Sequence, residues 1–413
     1  MTTVFWIIIF ILVLDFALER YLEYLNTTRW SDQLPEEVKG IYDEKKYRRQ
    51  QEYSKTNHRF SRLTSLLSFL LILLMLFGHG FALVHKAALH ITGNPTMVAL
   101  IFFGVLFLTA ELLSIPFGLY QTFIIEERFG FNKITGPVYM FDKIKGLILG
   151  VFVGGGLLAL IIFIYYRTGP DFWLYAWLVI GVFSVFMAMF YSTLIVPLFN
   201  KQTPLEEGEL KEAINNFASK VGFKLENIYV IDGSKRSTKA NAYFAGLGHK
   251  KRIVLYDTLI KDMEVDELVA VLAHEIGHYK KKHIILSLVL GILQIGFMLY
   301  LFSAFVGSPA LSQALGVSKP NFHIGAVAFG ILYTPISTLI GIGMNLLSRR
   351  NEFAADAFAA KHYDGEVLAT ALKKLSVKNL SNLRPHPAYV FVHYSHPPLL
   401  QRLEALRKLS RLK

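Results

Sequence analysis

Apolar and polar residues along this chain fall into long blocks rather than short alternations. Apolar runs near the roughly 20 residues that cross a bilayer predict spanning helices at about Val4 to Tyr24, Leu63 to His85, Met97 to Ile125, Ile144 to Tyr166, Phe172 to Leu198, Ile284 to Val306 and Ile324 to Leu347, seven in all. Pro116 should kink the third. Gly154, Gly155 and Gly156 in the fourth would allow close helix contact or simply local looseness. Asp15 and Glu19 inside the first are expected to face the bundle interior or an interface. That first run has neither a basic leader nor a small-residue cleavage site, so it reads as an uncleaved helix.

Shorter periods occupy the polar stretches. Leu205 to Val221 repeats as a helix, and Ile228 to Ile231 reads as a strand. Asn241 to Ala245 and Arg252 to Tyr256 read as two strands joined by the Gly-containing loop Gly246 to Lys251. Leu268 to Ile285 reads as one helix that continues unbroken into the sixth span. Residues 1–200 are thus expected to hold five spans and their loops, and 201–283 a polar α+β insert. Residues 284–347 hold the last two spans, and 348–413 form a polar tail with helical pieces. The fold class is an all-α polytopic membrane protein carrying one small α+β insert.

Composition agrees. Charged residues are only 18% and hydrophobic ones 53%, against about 25% charged in soluble chains. The net charge of +12 could point to nucleic acid, but no nucleic-acid module is present. Lys and Arg instead collect in loops, as the positive-inside rule expects. The loop Asn26 to Arg62, expected to be partly helical and amphipathic, carries Arg29, Lys39, Lys45, Lys46, Arg48, Arg49, Lys55 and Arg59. Glu126 to Lys145 carries Arg128, Lys133, Lys143 and Lys145, whereas the loops near Lys86 and Arg167 are nearly uncharged. Both basic loops then lie in the cytoplasm, the N-terminus lies outside, and Asn200 to His283 falls inside. Cysteine is absent, so disulfides, thiolate ligands and cysteine nucleophiles are excluded.

Candidate chemistry sits at the inner end of the sixth span. His274-Glu275-Ile276-Gly277-His278 is an H-E-x-x-H pattern. On a helix, positions i and i+4 share a face, so both imidazoles can reach one ion while Glu275 reaches a water beside it. The bland alternative is a polar helix face with two solvated histidines. The apolar run Leu268 to Leu272 weighs against it, because polar groups placed directly after such a run need a partner. Zinc takes a third protein ligand. The seventh span ends in Ser348-Arg349-Arg350-Asn351-Glu352-Phe353-Ala354-Ala355-Asp356, and alternation of spans brings it to the same side and depth. Glu352 is therefore the choice for third ligand, and Asp356 for orienting a ligand histidine; the alternative is a surface carboxylate pair balancing Arg349 and Arg350. His283 and His323 lie at helix ends, where solvated imidazoles are common. His386 and His393 have no evident partner. His396, held by Pro397-Pro398 and followed by Arg402 on an amphipathic helix, could stabilise an oxyanion, with a capping or surface role as the alternative.

Taken together, HEIGH before a span, NEFAAD after the next one, YSHPPLLQRL near the end and NAYFAGLGHKKRIVLYDTL upstream resemble the type I CAAX prenyl proteases across essentially the whole chain. The resemblance implies a zinc-dependent integral membrane endopeptidase whose seven helices form an α-barrel around a large chamber. One zinc would be held by His274, His278 and Glu352, with Glu275 as general base and Asp356, His396 and Arg402 close by. It further implies that Asn241, Ala242, Tyr243 and Phe244 bind substrate backbone by strand addition, and that the reaction removes the C-terminal tripeptide of prenylated CAAX proteins. Only Gly307 to Phe322 separates the last two spans, and Arg411-Leu412-Lys413 is not a dilysine signal. Both favour a bacterial-type member in an inner membrane over one of the endoplasmic reticulum, and leave open whether a natural substrate carries a prenyl group. The expected partners are a peptide or protein substrate and the lipid bilayer, with no nucleic acid. The competing readings are a broad-specificity quality-control endopeptidase and, outside enzymes, a transporter or channel. No internal repeat supports the latter, and the absence of G-x-G-D and G-x-S-x-G argues against an intramembrane aspartyl or serine protease.

Overall fold

The computed structural model describes residues 1–223 and 227–411; Leu412 and Lys413, part of the C-terminal tripeptide noted above, lie outside the described residues. The first part of the chain is built of helices joined by loops. It runs α1 (Thr3–Thr27), α2 (Glu44–Phe77), α3 (Gly80–Ile91) and α4 (Pro95–Tyr120), which holds Pro116 and is prolonged by a π-helical stretch at Gln121–Glu126. Next come α5 (Gly136–Leu149), a second π-helical stretch at Gly150–Gly154, α6 (Gly155–Thr168) and α7 (Phe172–Leu194). Among the described residues, five stretches are long and apolar enough to cross a membrane: Glu44–Phe77, Pro95–Glu126, Gly136–Leu198, His283–Phe305 and Phe322–His362. The third of these holds α5, α6 and α7, with α6 packed on α7 beyond the turn Gly169–Asp171. Asp15, Glu19 and Arg20 interrupt the hydropathy of α1; the first two lie on its half-buried face.

The polar insert contains β1 (Gln202–Pro204), α8 (Glu209–Lys220), β2 (Ile228–Ile231), β3 (Ala242–Ala245), β4 (Arg252–Tyr256), α9 (Asp257–Asp262) and α10 (Val265–Lys280). Its sheet has the order β1-β2-β4-β3. β2 and β4 pair in parallel, and β3 pairs antiparallel with β4, Tyr243 opposite Val254. β3 is therefore an edge strand. The hairpin follows the sequence expectation; β1 is a fourth strand that three residues are too short to announce.

The chain finishes with α11 (His283–Phe305), α12 (Pro309–Ala314), α13 (Phe322–His362), α14 (Gly365–Lys378), α15 (Pro387–His393) and α16 (Leu399–Ser410). Two helices expected to be continuous are broken. The helix bearing the histidines stops at Lys280, and Lys282 takes a left-handed φ of 58° before α11 begins. The second apolar run likewise stops at Phe77, and His79 has φ 52°. Hydropathy does not register such a break, because one residue in the left-handed region redirects the axis without altering composition.

Buried residues are distributed unevenly. The main core surrounds α10 and includes Leu268, Leu272, Ile276, Ile253, Leu255, Ala359 and Leu403. Two smaller clusters join the other ends of the long helices, through Phe5, Leu76, Phe102 and Ile324 and through Ile162, Phe172, Phe302 and Phe322. Between these ends the helices bury little, although α7 packs on α11, where the Trp177 Nε1–H donates to the Ile292 carbonyl at 2.7 Å. No residue is fully buried over 52–75 in α2, 103–120 in α4, 177–191 in α7, 284–295 in α11 or 334–350 in α13.

Candidate metal centre and substrate cleft

α10 starts with a capping box, the Glu264 side chain taking the backbone N–H at Glu267 while Glu267 reaches back to Glu264. Lys374 on α14 clasps Glu267 at 2.7 Å. Gly277, inside HEIGH, then lets α10 approach α13: a Cβ there would stand 3.1 Å from Phe358 Cβ and 3.2 Å from Ala355 Cα and carbonyl oxygen. Buried Ala355 and Ala359 keep the facing surface low. This close crossing carries His274 and His278 up to Glu352, one turn before Asp356.

The three donors form a small triangle. His274 Nε2 and His278 Nε2 are 3.1 Å apart, His278 Nε2 lies 3.2 Å from Glu352 Oε1, and His274 Nε2 lies 3.4 Å from Glu352 Oε2. Donors at roughly 2.0–2.1 Å from a tetrahedral cation stand about 3.3 Å apart, so the triangle fits a metal ion. Glu352 Oε2 is buried and has no hydrogen-bond donor among the described residues. Two facing imidazole nitrogens beside such an oxygen are satisfied together by a cation. Among the described residues this is the one group of His, Asp and Glu side chains close enough to hold one.

Around the triangle each ligand is steadied. The His274 Nδ1–H donates to Asp356 Oδ1 at 2.8 Å, which leaves Nε2 as the free lone pair. Asp356 is almost wholly buried and takes both arms of Arg402, Nη2 on Oδ1 at 2.6 Å and Nε on Oδ2 at 2.8 Å. The Arg402 Nε and Nη2 are thus held by a carboxylate, and its Nη1 is 3.7 Å from Glu352 Oε2. Burial alone would push the His274 imidazolium down, but the Asp356 and Glu352 carboxylates beside it outweigh that and hold its pKa at about 9. The pocket therefore favours positive charge at that ring, the polarity a bound cation has. Burial pushes Glu275 above the ordinary carboxylate range, with His274 and His278 pulling it back.

His283 was expected to be a solvated helix-end histidine and is instead part of the site. It is buried, and its Nδ1 is 3.1 Å from His278 Nδ1. The break at Lys281 and Lys282 makes this possible by turning the start of α11 back towards α10; a continuous helix would have carried the ring away, and no sequence signal marks the turn. His396 is 66% exposed, with Nε2 3.3 Å from Glu352 Oε1. Arg349, expected as a possible counter-charge to Glu352 and Asp356, instead donates to the carbonyls of Val390, Phe391 and Tyr394. It so anchors the segment leading to His396. His386 caps α15 by accepting from Ala388 N–H, His393 pairs with Glu19 at 3.3 Å, and His323 is buried against His85 at 2.8 Å, away from the site.

A cavity of about 430 Å³ joins the triangle to the sheet. Its walls include Asn241, Ala242, Tyr243 and Phe244 as well as Glu275, His396 and Arg402. The Tyr256 N–H donates to the Asn241 carbonyl, so antiparallel alternation turns Tyr243 towards β4 and the main-chain groups of Ala242 and Phe244 outwards.

Two family models cover nearly the whole chain. One, described as CAAX prenyl protease N-terminal, five membrane helices, matches residues 23–201, and the other, peptidase family M48, matches residues 204–410. A CAAX prenyl protease 1 homolog of Arabidopsis thaliana is 37% identical over 96% of this chain and 95% of its own length. CAAX prenyl protease 1 of Saccharomyces cerevisiae is 34% identical over 97% and 94%. The crystal structure of S. mikatae Ste24p superimposes with a TM-score of 0.92 at 34% identity, covering 98% of this chain and 99% of that one. The chain belongs to peptidase family M48, in the branch with a CAAX prenyl protease N-terminal region, and is a membrane metallopeptidase.

Proposed function

We propose, from the chain's place in this family, that it cleaves the C-terminal tripeptide from prenylated CAAX proteins at a zinc ion held by His274, His278 and Glu352. The observation that carries the proposal is the single cavity in which this triangle, Glu275 and the free edge of β3 meet. A zinc ion held there supplies Lewis acidity, which acidifies water and polarises the scissile carbonyl. An extended substrate adds to β3 through the outward main-chain groups of Ala242 and Phe244, which fixes its register over the triangle. Glu275 takes the proton of the attacking water and hands it to the leaving amine; a pKa raised by burial suits both steps. His396 faces the carbonyl oxygen as charge develops on it. Asp356 holds the His274 tautomer, Arg402 holds Asp356, and His283 does for His278 what Asp356 does for His274.

The unburied middles of the long helices support a barrel of seven spans, α1 included, around a chamber. Helix walls with lipid on one face and a cavity on the other bury little of either, and only 6–17% of each apolar window is buried. We read residues 1–200 and 284–347 as this barrel, 201–283 as the peptidase insert, and 348–413 as the tail that supplies the third ligand. The basic loops place the peptidase end on the cytoplasmic side, and that side is the same in a bacterial inner membrane and in the endoplasmic reticulum.

The test is metal analysis of the purified protein together with cleavage of a farnesylated CAAX peptide and its unprenylated twin. One zinc per chain and preferential cleavage of the farnesylated peptide are expected. Equal cleavage of the two peptides refutes prenyl selectivity, and absence of zinc refutes the site.

A further inference from the structure

We propose that the groove between α1 and α2 is a binding site for a phospholipid with a net-negative headgroup. The groove has a volume of about 470 Å³ and is lined by Phe16, Arg20, Arg59, Arg62, Leu63 and Leu66. Both helices change character at its level. On α2 the charged residues end at Arg62, and Leu63 to Phe77 contains none; on α1 the apolar run gives way to Glu19 and Arg20. Phe16 stacks on Phe69 at 4.2 Å, so the two helices keep this register. The groove therefore lies where the headgroups of one leaflet meet the hydrocarbon.

Its charge is unbalanced. The Arg20 guanidinium sits over the Phe16 ring at 5.3 Å, with Nη2 on Glu23 Oε1 at 2.7 Å. Its Nε and Nη1 are buried and have no hydrogen-bond partner among the described residues. Arg59 and Arg62 have no ion pair among the described residues, and Glu19, 3.3 Å from His393, is the other carboxylate nearby. Three guanidinium groups thus outnumber the two carboxylates of Glu19 and Glu23, the latter also neighbouring His58 at 3.8 Å. Orphaned guanidinium donors in a cleft call for an anion, and phosphate matches their fork. Below the arginines, Leu63 and Leu66 are 53% and 44% exposed, and Leu70 and Leu74 continue the same strip. A ligand that satisfies both halves has a phosphate above and acyl chains below. The inference rests on the membrane-spanning reading given above, but not on the metal site or on which leaflet is involved.

Native mass spectrometry of delipidated protein, titrated with phosphatidylserine or phosphatidylcholine in detergent, reads the site directly. The wild type should retain phosphatidylserine in preference to phosphatidylcholine. The double variant Arg59→Ala, Arg62→Ala should bind phosphatidylserine roughly 30-fold more weakly, with phosphatidylcholine unaffected. Both positions are exposed and unpaired, and unchanged peptide hydrolysis by the variant verifies its fold. The double variant Arg59→Lys, Arg62→Lys should recover part of the preference. Inorganic phosphate alone should not compete at the same concentration; equal competition would make this a phosphate site and refute the lipid. Equal phosphatidylserine binding by the alanine variant and the wild type, or no preference over phosphatidylcholine, would overturn the proposal.

Discussion

Replacing Asp356 by Asn tests how the proposed centre is supported. Asp356 Oδ1 receives both His274 Nδ1–H at 2.8 Å and Arg402 Nη2–H at 2.6 Å, while Oδ2 receives Arg402 Nε–H at 2.8 Å. An amide has one acceptor oxygen for these three donors. If that oxygen stays on the His274 side, its NH2 opposes the Arg402 Nε–H. If it turns round, the NH2 faces His274, drives the ring to the other tautomer and puts a proton on Nε2, where the metal should bind. In either case a buried guanidinium loses the charge opposite it. Removing one member of a buried pair typically costs about 3–5 kcal/mol, and here Glu352, 3.7 Å from Arg402, should keep the loss near the lower end. Loss of an outer partner lowers metal affinity by about 10–100-fold. Zinc affinity is measured by competition with a chromophoric chelator, and stability by thermal unfolding in detergent. The double variant Asp356→Asn, Arg402→Met removes the opposed donors and lets the amide oxygen serve His274, so it should recover part of both losses. If Asp356→Asn alone bound zinc with wild-type affinity and unfolded at the wild-type temperature, the role assigned to Asp356 would be wrong.

The other expectations are simpler to read. Glu275→Gln should retain stoichiometric zinc and lower kcat by about 10²–10⁴-fold; zinc bound with near wild-type turnover refutes Glu275 as the base. His283→Ala frees His278 Nδ1 and should weaken zinc by about 10–100-fold in the same competition assay, whereas unchanged affinity would make the 3.1 Å contact incidental. Ala242→Pro removes an outward N–H, held in the free protein by Asn241 Oδ1 at 2.9 Å, from an edge strand without touching the β4 ladder. It should lower kcat/KM by up to about tenfold, the worth of one hydrogen bond, with only a small change in melting temperature because the Asn241 contact is local and exposed. Chelation of zinc should abolish hydrolysis reversibly, and activity that survived metal-free dialysis would refute metal-assisted chemistry.

The sequence by itself determined whatever depends on neighbours along the chain. A spacing of four puts His274 and His278 on one helix face, long apolar blocks mark the membrane segments, and alternation around a Gly-containing loop marks the β3–β4 hairpin. These follow from dihedral geometry and hydropathy, which few distant contacts can override. The motifs also carried the family, since four of them in order leave few alternatives.

Tertiary structure decided the rest. Gly277 meeting Ala355 sets how near α10 comes to α13, and so whether Glu352 completes a triangle. Arg402 reaches Asp356 across 46 positions of chain, a clamp on a carboxylate that no spacing in the sequence announces. A single left-handed lysine brings His283 onto His278. The unburied middles of the long helices show only when all of them are assembled. In each case the deciding quantity is a distance between segments far apart in sequence, set by side-chain volume and backbone direction; periodicity and hydropathy, averaged along one segment, contain no such distance.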